Sequence, residues 1–324
     1  YNMYKFLGYN VISINHLVLS MLIRQIIITL LTLKTGIFMK KNLIYYTLST
    51  FIAGFLFSCT NESDNLVTNM VSSETTNVLE RNSRTASRVI FEDNFDQTGT
   101  VPDTSKWVLC TAGTSAWNKY MSASYEQAYL SNGKLVLTGE LVDGVYKAGG
   151  VRTTGKVDFK YGKVEVNARF TQTAQGAWAA IWMMPTSPIY SGWPSCGEID
   201  IMEQLNHDSY VYQTIHSYYK NTLGITTPTP TVTASYNVGE FNTYAVDWTH
   251  DRLVFSVNGV TTLTYPNLYV ENESTQKQWP FDGTFHIILN QALGGAGTWP
   301  GAITNSQLPA VMEVDWVRVT QYDE

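Results

Sequence analysis

Three carboxylates stand in one short run, Gly197-Glu198-Ile199-Asp200-Ile201-Met202-Glu203, whose other residues are those of a buried β-strand. Side chains in a regular strand alternate between faces, so Glu198 and Asp200 share a face and Glu203 takes the other. One extra residue near Ile201-Met202, a β-bulge, brings Glu203 to the same side as the other two. Glu198 and Glu203 then flank a single point, with Asp200 between them. Two carboxyl groups about 5–5.5 Å apart are what retaining glycoside cleavage needs, one to attack the sugar and the other to handle the proton. The plainer reading is the solvated face of a half-exposed strand. Such strands mix acids with Lys, Thr and Ser, whereas three like charges among Ile and Met carry an electrostatic cost that a purely structural strand has little reason to bear.

Aromatic residues gather beside this run. Trp178, Trp182 and Trp193 precede it, and Tyr210, Tyr212, Tyr218 and Tyr219 follow it. Rings of this kind fill sandwich cores, and they also stack on the apolar faces of sugars. Trp193, in Ser191-Gly192-Trp193-Pro194, and Trp299, in Gly297-Thr298-Trp299-Pro300-Gly301, sit in loop-like contexts and are the better candidates for substrate contact.

The elements that must hold these residues are strands. Strand-like runs cover Val89–Phe95, Lys134–Thr138, Lys163–Phe170, Ala245–Trp248, Leu253–Val257, Phe285–Leu289 and Val311–Thr320. Asn132-Gly133, Asn258-Gly259, Asp282-Gly283 and Gly294-Gly295 mark turns between them. Leu253–Val257, Asn258-Gly259 and Val260–Leu263 read as a hairpin with a type I′ turn. Many short strands without βαβ alternation predict an all-β sandwich of two antiparallel sheets.

The folded part is expected over residues 88–324, a suitable size for one all-β domain. Residues 39–59 read as a secretion signal. Met39-Lys40-Lys41 opens it, an apolar run from Leu43 to Phe57 follows, and Ser58-Cys59 closes it. The pattern resembles a bacterial lipoprotein signal, cut before Cys59 with the cysteine lipidated, and the acids in Thr60–Asn65 resemble an export tag for the outer-membrane surface of Gram-negative bacteria. Residues 60–87, rich in Ser, Thr and Asn, read as a flexible tether. Residues 1–38 begin with Tyr1 and hold a second apolar stretch; upstream read-through before Met39 is the expectation, with a membrane-spanning segment as its rival. A net charge of −6 and no Lys/Arg cluster argue against nucleic acid as a partner. Cys110 and Cys196 form no disulfide framework; a pair and two separate buried thiols both stay open. No Cys/His group has zinc spacing.

With these residues in view, the chain resembles glycoside hydrolase family 16 over nearly all of 88–322. Val89–Phe95 with Ser105-Lys106-Trp107 is similar to the family's first strand, Trp178–Pro185 to the strand leading into its active site, Gly197–Glu203 to its signature in bulged form, and Val314–Val319 to its last strand. The resemblance implies a jelly-roll sandwich with a substrate cleft on its concave sheet. It implies Glu198 as nucleophile, Glu203 as acid/base and Asp200 between them. It also implies substrate contacts from Trp182, His216, Arg152 and Gln291; His286 is left as a strand residue. Catalysis would need no cofactor, and a structural calcium ion would rest on Glu92, Gly133 and Asp315. A monomer acting on a polysaccharide or glycan is expected.

Substrates within the family differ by loops rather than by catalytic residues. Trp182 and the Gly294-Gly295…Trp299-Pro300-Gly301 loop resemble β-1,3-glucanases. Gln204–Asp208 and Tyr212–Ser217 resemble endo-acting enzymes that cut β-1,4-galactosyl linkages in mucin O-glycans, and the reading leans to these. A non-catalytic sugar-binding module is the rival of another class, disfavoured because binding alone does not need both Glu198 and Glu203.

Overall fold

The structure is a computed structural model that describes residues 87–269 and 278–322. Cys59, the leader and signal segments and the tether up to residue 86 lie outside the described residues.

The strands are β1 (Ser87–Asp93), β2 (Val108–Leu109), β3 (Ala128–Ser131), β4 (Lys134–Val142) and β5 (Val145–Arg152). They continue with β6 (Gly162–Gln172), β7 (Ala177–Ser187), β8 (Glu198–Leu205), β9 (Tyr210–His216) and β10 (Thr231–Ser235). The last are β11 (Asn242–Trp248), β12 (Arg252–Val257), β13 (Val260–Pro266), β14 (Thr284–Leu293) and β15 (Ala310–Tyr322). One short helix, α1 (Tyr218–Asn221), follows β9.

Antiparallel pairing runs in the order β10-β9-β8-β7-β14-β5-β4-β15-β6-β11-β12-β13. Strand β5 belongs to both halves of this path: Val145–Ala148 pairs with β4, and Gly149–Arg152 pairs with β14. That switch turns one hydrogen-bonded path into the two layers of a jelly-roll sandwich, as expected. Burial patterns separate the layers. Along β6, Val164, Val166, Ala168 and Phe170 are buried and their neighbours are not, the alternation of a strand with one wet face. Along β14 every residue from Phe285 to Leu293 is buried, because aromatic side chains and loops cover its second face as well.

Phe285, Ile287 and Leu289 of β14, Ile181 and Met183 of β7, and Val164 and Val166 of β6 meet in the core between the layers. Ile288 and Ala292 of β14 and Ala180 and Trp182 of β7 point the other way and cluster beneath the concave face. Strand β1 ends at Asp93 rather than at Phe95. Phe95 takes a left-handed backbone (φ 54), and its N–H is held by the Asp93 carboxylate at 3.0 Å. The β12–β13 hairpin turns through Asn258 (φ 51) and Gly259 (φ 77), the two positive φ values of a type I′ turn. Cys110 and Cys196 are both buried free thiols.

Candidate active site

The expected bulge is present in β8. Opposite β7, Trp182 pairs with Asp200 and the next partner, Ile181, pairs with Met202, so Ile201 is extra. Opposite β9, Thr214 pairs with Asp200 and Tyr212 with Glu203, so the single residue Gln213 faces both Ile201 and Met202. Ile201 and Met202 therefore both turn into the core, each fully buried, and Glu203 returns to the face of Glu198 and Asp200. Gly197, just before the strand, has φ +85 and packs so closely on Pro280 that a Cβ would lie 2.8 Å from its Cγ.

Each glutamate receives an indole N–H. Trp193 Nε1 donates to Glu198 Oε2 at 2.6 Å, and Trp178 Nε1 donates to Glu203 Oε1 at 2.8 Å. Asp200 is 2% exposed, and its Oδ2 lies 3.1 Å from His216 Nε2. The Asn221 amide fixes that imidazole. Its Oδ1 accepts from Ser217 N–H at 3.3 Å, which turns its Nδ2 toward His216 Nδ1 at 2.9 Å. Nδ1 is thus the acceptor, and Nε2 carries the proton that faces Asp200.

Burial pushes the Glu198 and Glu203 carboxyls well above the ordinary range, and the neighbouring Asp200 charge pushes both further. The two indole N–H groups oppose this by favouring the ionised forms. Glu203, only 6% exposed, is the more deeply enclosed of the two, as suits a group that must hold a proton before giving it away.

Glu198 and Glu203 form part of the wall of a cleft of about 880 Å³. Trp182, Trp193, His216, Arg152 and Trp299 all line it. Trp182 is held under the cleft by its N–H to Asn290 Oδ1 (2.8 Å) and by the edge of Trp117, whose centroid is 4.8 Å away. Trp193 and Trp299 are 56% and 50% exposed, free for contact with a ligand. Trp299 meets both Trp178 and Tyr212 edge-on.

Gln291 is a correction. It pairs with Ala179 of the core face, is buried, and donates to Ala292 O at 3.3 Å. Its neighbour Asn290 occupies the cleft face instead. His286 is the converse correction, since it lines the cleft rather than serving as a plain strand residue. Burial, aided by the Arg152 charge, lowers its pKa to about 4, so it is neutral near pH 7. Sequence reasoning also missed Trp117 and Lys220, and it named Trp178 and Trp193 without finding their role as indole donors to Glu203 and Glu198.

The residues assigned to calcium do not fit the ion as they stand. Glu92 Oε1 accepts both Nε and Nη2 of Arg318, at 2.9 and 2.7 Å. Asp315 Oδ1 lies 3.1 Å from Lys134 Nζ. Cationic side chains already occupy these carboxylates, and a calcium ion would have to displace them.

A concave antiparallel sheet that presents Glu198 and the buried Glu203 on one face of a bulged strand, inside an aromatic cleft, is the arrangement of a glycoside hydrolase of the jelly-roll class. Comparison with known proteins places it further. The chain belongs to glycosyl hydrolases family 16, whose family model matches residues 115–318. It is 47% identical over 238 residues to the keratan-sulfate endo-1,4-β-galactosidase of Sphingobacterium multivorum, covering 71% of this chain and 54% of the relative. The chain thus spans about half the length of that relative. A solved structure from work on endo-acting O-glycanases of the human gut microbiota that initiate mucin breakdown matches with 37% identity and a TM-score of 0.65, covering 73% of this chain and all of the other. The laminarinase from Rhodothermus marinus matches with 32% identity and a TM-score of 0.64, over 74% of this chain and 99% of the other.

Proposed function

We propose that the domain is a retaining endo-β-galactosidase that cuts β-1,4-galactosyl linkages in poly-N-acetyllactosamine chains of the mucin O-glycan type. The observation that carries the reaction type is the β8 bulge, which sets Glu198, Asp200 and Glu203 on one cleft face with a separate indole donor for each glutamate. Glu198 attacks the anomeric carbon while Glu203 gives its proton to the departing glycosidic oxygen, leaving a glycosyl ester on Glu198. Glu203, now a carboxylate, takes a proton from water; that water attacks the anomeric carbon and frees Glu198. The Asp200 charge beside both glutamates hinders their simultaneous ionisation.

The galactosidase reading is supported by the higher identity to the keratan-sulfate enzyme than to the laminarinase. A β-1,3(4)-glucanase is the second reading, supported by 32% identity to the Rhodothermus enzyme over nearly its whole length. Product profiling of residues 88–324 on laminarin, barley glucan, agarose, keratan-type poly-N-acetyllactosamine and mucin separates the two. Oligosaccharides from the last two substrates with glucans untouched support the proposal, and release from the glucans alone overturns it. For the whole chain we propose a monomeric surface lipoprotein anchored through Cys59. Intact mass of the protein from its native membrane tests this, and a mature chain that retains Tyr1 or an unmodified Cys59 refutes it.

A further inference from the structure

The face of β9 that carries His216 also carries two tyrosines that the reaction above does not use. Side chains alternate along this strand, so Val211, Gln213 and Ile215 turn inward and are buried, while Tyr210, Tyr212, Thr214 and His216 share the other face. The register orders that face against the acids: His216 pairs with Glu198, Thr214 with Asp200 and Tyr212 with Glu203. Tyr210 comes two residues further on, so it lies about 7 Å along the strand past the partner of the proton donor, away from the nucleophile. Thr214 and His216 line the cleft, as does Trp299; Tyr210 and Tyr212 lie beyond it.

These rings are joined to the cleft. Tyr210 meets Tyr212 edge-on with centroids 5.4 Å apart, Tyr212 meets Trp299 at 4.9 Å, and Trp299 meets Trp178 at 5.7 Å. Trp178 in turn donates to Glu203. The tyrosine hydroxyls stand 3.3 Å apart and share a hydrogen bond, which ties the outer two rings into one surface. A continuous strip of four aromatic side chains thus runs from the proton donor out of the cleft. Its outer part is open to solvent: Trp299 and Tyr210 are exposed and Tyr212 is half-buried, whereas the core tyrosines Tyr244 and Tyr265 are wholly enclosed. Contiguous exposed apolar surface on a soluble domain marks a contact, and this strip continues a cleft that already takes sugar. A pyranose ring offers such a strip an apolar C–H face for the rings and hydroxyls for the phenol oxygens.

We infer that Trp299, Tyr212 and Tyr210 form an outer subsite, past Glu203, that holds the apolar face of one further pyranose beyond those seated in the cleft, so that long chains are favoured over short ones. This rests on the endo-glycosidase reading above, whichever β-glycan is cut. Tyr210 is the residue peculiar to this subsite, because it touches neither the acids nor the cleft wall.

The test is the ratio of kcat/KM on the polymer that the domain cleaves fastest to kcat/KM on the shortest oligosaccharide of the same chain that it cleaves, for the parent, Tyr210→Ala and Tyr210→Phe. Taking the ratio cancels any loss of folded protein and any change passed through Tyr212 to Glu203, since both act on the two substrates alike. Loss of one aromatic contact predicts a ratio about three- to tenfold lower in Tyr210→Ala. Tyr210→Phe keeps the ring, and its ratio is expected to stay close to that of the parent. An equal ratio in the parent and Tyr210→Ala overturns the inference while leaving the glycosidase reading standing. A fall in Tyr210→Phe as large as in Tyr210→Ala puts the effect on the hydroxyl pair and overturns the stacking assignment. Failure to cleave any β-glycan of the panel removes the glycosidase reading and this inference with it.

Discussion

Trp178→Phe keeps a ring on β7 and removes one interaction, the 2.8 Å donation from the indole to Glu203 Oε1. Before reaction that N–H faces a neutral carboxyl group, and in the transition state, as the proton passes to the glycosidic oxygen, it faces a developing carboxylate. A hydrogen bond to a neutral group contributes about 0.5–1.5 kcal/mol, and one to a charged group about 1.5–3 kcal/mol. The difference, on the order of 1–1.5 kcal/mol, is realised only in the transition state, and its loss lowers kcat roughly five- to twelvefold. The indole also favours the ionised form of Glu203, so its removal makes the acid weaker and moves the basic limb of the pH–rate profile to higher pH. The assay is kcat against pH on the best substrate of the panel, with Trp299→Phe as control. Trp299 packs on Trp178 edge-on and accounts for effects of altered packing alone. An unmoved basic limb with kcat within about twofold of the parent, or the same limb shift in Trp299→Phe, would refute the reasoning.

Glu203→Gln has no proton to give and lowers kcat on natural chains by about 10²–10⁴, with much smaller losses in the first step on aryl glycosides whose leaving groups need no proton; equal losses on both would place the acid elsewhere. Glu198→Gln removes one of the crowded carboxyls. Because burial and Asp200 raise the folded pKa of Glu198, its contribution to stability is present below the unfolded value and lost as pH rises through the folded one. The variant is therefore expected to melt several degrees above the parent near neutral pH and level with it at about pH 4, the ordinary carboxylate range; identical melting curves at both ends would contradict the raised pKa. Burial pushes the Cys110 thiol up to about 12, so a thiol reagent is expected to reach it only on unfolding. Rapid labelling of Cys110 in the native domain would show that the floor of the cleft opens.

The fold was largely legible because its outer layer obeys a simple rule. Strands such as β6 keep one face wet, so alternation shows in the sequence, and Asn258-Gly259 names its own turn. The bulge was legible for a related reason: Glu203 is out of phase with Glu198 and Asp200, and a buried acid must find the cleft. Strand β14 defeated the same logic. Buried on both faces, it gives no alternation to count from, so nothing in the sequence corrects the resemblance that puts Gln291 in the cleft and leaves His286 a strand residue, while the register does the reverse. Lys220 looked like any surface lysine, because only the path of the chain after β9 turns α1 toward the acids. The carboxylates of Glu92 and Asp315 suited a calcium ion until Arg318 and Lys134, 226 and 181 residues away along the chain, were seen to hold them.

The central claim is that Glu198 is the nucleophile of a double displacement. It is tested most directly by treating the domain with a 2-deoxy-2-fluoro glycoside of its substrate, which slows release of the covalent intermediate, and fragmenting the peptide that contains β8 by mass spectrometry. The account predicts one added glycosyl mass on Glu198. An adduct on Glu203 or Asp200, or complete inactivation with no adduct on β8, would contradict it.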